Sequence, residues 1–119
     1  MNIIETNLKG CFVIEHKIFN DERGYFFESF NQKKFNNLID GNINFVQDNQ
    51  SFSTKGVLRG LHFQKGKFAQ AKLVRVTKGK VLDVAVDLRQ KSATYGQSFS
   101  IILSAKNHKQ LFIPRGFAH

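Results

Sequence analysis

The 119-residue chain has no Trp, one Pro, one Met and one Cys. A lone thiol, Cys11, can make no intrachain disulfide, and a reducing cytoplasmic compartment is the expectation. No apolar run approaches the roughly 20 residues that a membrane-spanning helix needs. Met1–Glu5 (MNIIE) shows neither the basic start nor the apolar core of a secretory leader. Acidic residues are scarce, 9 against 18 Lys+Arg, which leaves a net charge of +9. Thirteen of those 18 cations are Lys, and they are scattered, with no block of five or six and no basic helix. Together with 13 Phe and many Asn and Ile, the Lys excess fits an AT-rich coding bias. Nucleic acid and membrane are therefore not expected partners. A small anionic ligand suits such a surface, with a few Arg doing the specific work.

What is present is a globular composition, 41% hydrophobic and 23% charged, at a length that suits one domain over residues 1–119. Short apolar runs punctuated by Gly, Asn and Lys predict strands. Cys11–Phe19 reads as one strand, Asp21–Gly24 as a turn, and Tyr25–Phe30 as extended. Asn44–Ser53 and Val57–Gln64 also read as extended. Ala71–Thr77 and Val81–Leu88 read as a hairpin joined by Lys78-Gly79-Lys80. Phe99–Leu103 and Gln110–Pro114 complete the set. The one credible helix spans Gln32–Ile39, capped by Ser29 or Asn31, with Phe35, Leu38 and Ile39 on one face. Many short strands and one helix predict a sandwich or barrel. In Val81–Leu88, alternation puts Asp83, Ala85 and Asp87 on one face. That face is either solvated, the ordinary fate of two carboxylates, or the lining of a polar barrel interior.

Two clusters carry candidate chemistry. In Arg59-Gly60-Leu61-His62-Phe63-Gln64, an imidazole between apolar strand residues is a candidate base. Alternation separates Arg59 from His62, and a bulge at Gly60 would reunite them. Pro114-Arg115-Gly116-Phe117-Ala118-His119 ends on a second His. These two clusters resemble the paired motifs of the cupin superfamily. Gly56 precedes His62 at the first motif's spacing, and Pro114, Gly116 and His119 match the second. Gln64 stands where metal cupins have a second His, which leaves too few donors, so no metal is expected.

The resemblance narrows when longer stretches are read. Arg59–Gln64, Gln70–Val76, Asp83–Arg89 and Leu111–His119 look like the dTDP-4-dehydrorhamnose 3,5-epimerase family. Arg23–Glu28 (RGYFFE) and Gln47-Asp48-Asn49 match as well, in unbroken order along the chain. The resemblance implies an all-β, cupin-type jelly-roll barrel that forms a homodimer. It implies a substrate, a dTDP-linked 4-keto-6-deoxy sugar, inverted at C3 and C5 in dTDP-rhamnose biosynthesis. No cofactor is implied. His62 would be the base, and Lys72 and Arg59 would supply positive charge to the enolate or the pyrophosphate. Arg23, Glu28, Gln47, Asp48, Asn49 and His119 would line the substrate site. Asp83 is a further candidate, as a carboxylate orienting one of the His. The family's acid is a Tyr downstream of the second motif, and Tyr25 and Tyr95 do not occupy that place. The chain is thus expected to lack a C-terminal part. Two alternatives are an epimerase of one carbon only and a non-catalytic sugar-nucleotide-binding cupin.

Overall fold

The computed structural model describes residues 1–119. Its elements are β1 (Asn2–Glu5), β2 (Phe12–Glu15), β3 (Phe19–Asp21), β4 (Gly24–Phe26), α1 (Gln32–Leu38), a 3₁₀ turn (Gly66–Phe68), β5 (Lys72–Arg75), β6 (Lys80–Asp87), β7 (Ser98–Ser104), β8 (Gln110–Ile113) and β9 (Phe117–Ala118). A four-stranded sheet runs β1-β2-β8-β5, a three-stranded sheet runs β7-β6-β9, and β3-β4 form a separate hairpin. Every pairing is antiparallel.

The period-2 pleat of β2 and β8 sorts their side chains onto two faces. Val13, Leu111 and Ile113 point inward and pack with Leu8, Cys11, Ala85, Leu103 and Phe117 from across the interior. Ile14 and Phe112 point outward and meet Phe35 of α1. The helix forms where its pattern predicts. Asn31 Oδ1 accepts from Lys34 N at 3.1 Å, and Ile39 N donates to Phe35 O at 3.1 Å to close the last turn. Ser29 instead offers its carbonyl to Gln110 Nε2 at 2.8 Å. Phe35 is fully buried, with edge contacts to Phe45 and Phe112 at 5.5 and 5.2 Å between ring centroids. Burying such a ring contributes about 2–3 kcal/mol, more than the helix's own propensity can supply.

Three expectations need correction, and one open alternative, the Asp face, is decided. The Lys78-Gly79-Lys80 turn does not make a hairpin: β5 pairs with β8, whereas β6 pairs with β7 and β9. Turn chemistry reverses the chain, but apolar faces on both strands drive them into opposite sheets, facing each other across the core. The Asp face of β6 is not solvated: Asp83 is 7% and Asp87 0% exposed. Cys11–Phe19 is not continuous, since pairing with β1 and β8 stops by Glu15 and β3 begins at Phe19. The segments 44–53 and 57–64 carry no regular strand.

Candidate active site

Pleat and pairing bring the functional groups together. Lys72 and Val74 of β5 lie opposite Ile113 and Leu111, so Lys72 shares their inward face. Asp83 shares the inward face of β6 with Ala85. Phe117 faces inward from β9, and alternation turns His119 inward again. His62 has no ladder of its own, yet it exchanges both backbone bonds with His119: His62 N to His119 O at 2.8 Å and His119 N to His62 O at 2.9 Å. In a doubly bonded antiparallel pair the side chains project to the same face. Gly60 permits this approach. Its φ is +107°, and a Cβ there would stand 3.2 Å from His119 O. The expected bulge does not join Arg59 to His62, because the guanidinium bonds Ser53 Oγ at 2.9 Å and Phe52 O at 3.1 Å.

His62, Phe63, Gln64, Gln70, Lys72 and Phe117 line a cavity of about 230 Å³. Behind it runs a polar chain. Lys72 Nζ lies 3.4 Å from His119 Nδ1, and His119 Nε2 lies 2.5 Å from Asp83 Oδ1. One proton arrangement satisfies all three groups: Lys72 donates as an ammonium to Nδ1, and Nε2–H donates to the Asp83 carboxylate. Asp83 Oδ2 is buried without a partner, so the contact with His119 Nε2 is the one that holds this side chain. The chain holds a cation at the cavity wall beside His62. That is the disposition required to stabilise negative charge on a ligand oxygen while a base removes a neighbouring proton.

The other predicted residues lie elsewhere. Arg23 is exposed at the β3–β4 turn and grips Asp21 at 2.6 Å, which draws the Asp21 carboxyl below its usual range. Glu28 pairs with Lys34 at 2.9 Å, with the same effect on its carboxyl. Gln47 donates to Asn49 Oδ1 at 3.1 Å, and Gln47, Asp48 and Asn49 are all exposed. None of these, nor Arg59, lines the His62 cavity. Tyr25 lines a different space of about 110 Å³ with Phe27, Arg75 and His108, and Tyr95 is exposed. No three His, Cys, Asp or Glu side chains converge into a cation-binding cluster. Phe63, Gln64, Gln70 and Phe117 belong to the cavity without having been assigned to it from sequence. Gln64 and Gln70 stand two residues from His62 and Lys72, and the cupin motif, which sets Gln64 at a ligand position, was the signal that could have found the first of them.

Two antiparallel sheets closed around an interior that carries paired His at its mouth define a cupin-type jelly roll. Comparison with known proteins identifies the particular group within it. The family profile described as dTDP-4-dehydrorhamnose 3,5-epimerase matches residues 5–119. The dTDP-4-dehydrorhamnose 3,5-epimerase of Escherichia coli K12 is 52% identical over 119 residues, all of this chain and 64% of its own length. The crystal structure of the Elizabethkingia anophelis enzyme of that name superposes with a TM-score of 0.96 at 57% identity, covering 100% of this chain and 65% of that one. A dTDP-6-deoxy-D-glucose-3,5-epimerase from Legionella pneumophila, solved in complex with dTDP-4-keto-L-rhamnose, superposes at 0.94 with 52% identity. There the match covers 99% of this chain and 62% of that one. The chain belongs to the dTDP-4-dehydrorhamnose 3,5-epimerase family, and spans slightly under two thirds of the length of these relatives.

Proposed function

We propose that the protein inverts the carbons flanking the ketone of a dTDP-linked 4-keto-6-deoxy sugar, C3 and C5, as a step toward dTDP-rhamnose. The carrying observation is that His62 and Lys72 line one cavity, with Lys72 braced by His119 and Asp83. His62 takes the proton from the α-carbon, and the C–H electron pair moves to the C4 oxygen as an enolate. Lys72 stabilises that oxygen. A proton delivered to the opposite face restores the ketone with inverted configuration. No phenol faces the cavity among residues 1–119, so the donor is neither Tyr25 nor Tyr95. Gln64 holds the position of a metal ligand, and the reaction as drawn needs no metal or redox cofactor.

Arg23, Glu28, Gln47, Asp48, Asn49 and Arg59 complete the substrate site in this reading when a second copy docks. Exposed Phe19, Tyr25 and Phe26 on the β3–β4 hairpin support a homodimer. The compartment is the cytoplasm, where buried Cys11 stays a thiol; no helix is long and apolar enough to cross a membrane. A second reading is a sugar-nucleotide-binding cupin without catalysis. Product stereochemistry after incubation with dTDP-4-keto-6-deoxyglucose separates the possibilities. Inversion at both carbons supports the proposal. Inversion at one identifies a mono-epimerase, and binding without inversion identifies the module.

A further inference from the structure

His119 is held by very little chain. β9 is two residues long and pairs only Val86 with Ala118 and Asp87 with Phe117. The His62–His119 backbone pair anchors β9 on one side, and a second anchor lies on the far side of Phe117, in a network outside the cavity. Asp87 is fully buried at the end of β6. It accepts from Arg89 N and Nε at 2.9 Å, from Arg89 Nη2 at 2.8 Å, and from Ser92 Oγ and Thr94 Oγ1 at 2.6 Å. So held, the Arg89 guanidinium also donates to Lys9 O at 2.7 Å and lies over the Phe117 ring at 4.7 Å. Its stem fills the space beside Gly116, where a Cβ would stand 2.6 Å from Arg89 Cγ, and Gly116 has a φ of +87°. Leu88 N donates to Gly116 O at 3.0 Å and ties the same turn to β6.

We propose that Arg89 is a positioning residue for the reaction: by stacking on Phe117 and packing against Gly116 it sets the register of β9, and thereby the cavity wall and the His119 ring between Lys72 and Asp83. The proposal rests on the epimerase reading given above. Planarity is what the position demands. A flat guanidinium can bond a carboxylate through its edge while its face covers an aromatic ring, and an ammonium cannot do both.

Arg89→Lys in the full natural chain is the test, because it keeps a cation beside Asp87 and loses the plane. Ser92→Ala is the comparator: it removes the 2.6 Å bond to Asp87, the long 3.4 Å bond from Arg89 Nη2 and the contacts with Thr94, while leaving the guanidinium plane over Phe117. The His119 ring is followed by ¹⁵N NMR, with kcat and KM measured alongside. For Arg89→Lys the expected result is displaced His119 ring signals, kcat lower by about tenfold to a hundredfold, and KM within about threefold. Ser92→Ala should leave both near wild type even where its melting temperature falls. Wild-type His119 signals in folded Arg89→Lys would overturn the proposal, as would equal loss of kcat in Ser92→Ala. If Arg89→Lys does not fold, Gly116→Ala presses the same contact from the other side and is read in the same way. If the wild type epimerises nothing, the epimerase reading fails on its own, and the His119 signals still decide whether Arg89 positions the ring.

Discussion

Lys72 illustrates how the site assigns a task to a single side chain. Its ammonium is aimed by His119 and Asp83 at the wall that His62 also lines. In the proposed reaction a cation so placed would act mainly on charge that develops at the ketone oxygen, so Lys72→Met should lower kcat far more than it raises KM. Steady-state kinetics check this: a raised KM with kcat unchanged would move Lys72 to pyrophosphate binding. His16 gives a different kind of prediction. It packs against Phe27 at 5.2 Å between ring centroids, and burial pushes its pKa down. The unfolded chain therefore binds a proton more readily than the folded one. His16 adds stability above the ordinary His pKa of about 6.5, and that stability is lost as pH falls through the lower folded value. Thermal melts from about pH 7 to about pH 5 should show a smaller decline for His16→Phe than for wild type. An unchanged decline would place the acid sensitivity elsewhere.

At the scale of elements, α1 depends on one ring. Phe35 fills the space between the helix and the outer face of the β2–β8 pair, so Phe35→Ala opens a cavity there. Its expected cost is about 3–5 kcal/mol, read by denaturant unfolding. A cost below about 1 kcal/mol would mean that the helix is held by its caps instead. This helix was legible in sequence because its signals are local: a capping Asn and apolar residues three and four apart. The core strands β6, β7 and β8 were legible from their apolar runs. The pairing partners were not. Gly79 announces a reversal, but whether β6 returns beside β5 or crosses to the opposite sheet depends on contacts far apart in the chain. The Asp face of β6, which sequence left open between solvent and interior, was undecidable for the same reason. Asp87 is buried because Arg89, Ser92 and Thr94 fold back over it, and no single strand's pattern records that closure. His62 stood out by its own surroundings, an imidazole between apolar residues, and Lys72 through the resemblance. Phe117, a core residue by pattern, lines the cavity only because β9 pairs beside β6.

On the scale of the whole molecule, the net charge of +9 would, in the proposed reaction, meet the doubly anionic pyrophosphate linkage of the substrate. Scattered lysines add to a long-range field that steers such a substrate without specifying it. The Debye length shrinks from about 10 Å at 0.1 M salt to about 3 Å at 1 M. Raising ionic strength should therefore lower kcat/KM while leaving kcat nearly unchanged. A salt-independent kcat/KM would confine the electrostatics to contacts inside the site.

The account stands or falls on proton abstraction by His62 beside a ketone. The most direct measurement is ¹H NMR of dTDP-4-keto-6-deoxyglucose incubated with the protein in D₂O. The account predicts that deuterium replaces the hydrogen at C3, C5 or both. It predicts that His62→Ala, still folded, slows this by about a hundredfold to ten-thousandfold, the range expected for loss of a general base. No wash-in by the folded wild type, or wash-in by His62→Ala within about tenfold of it, would contradict the account.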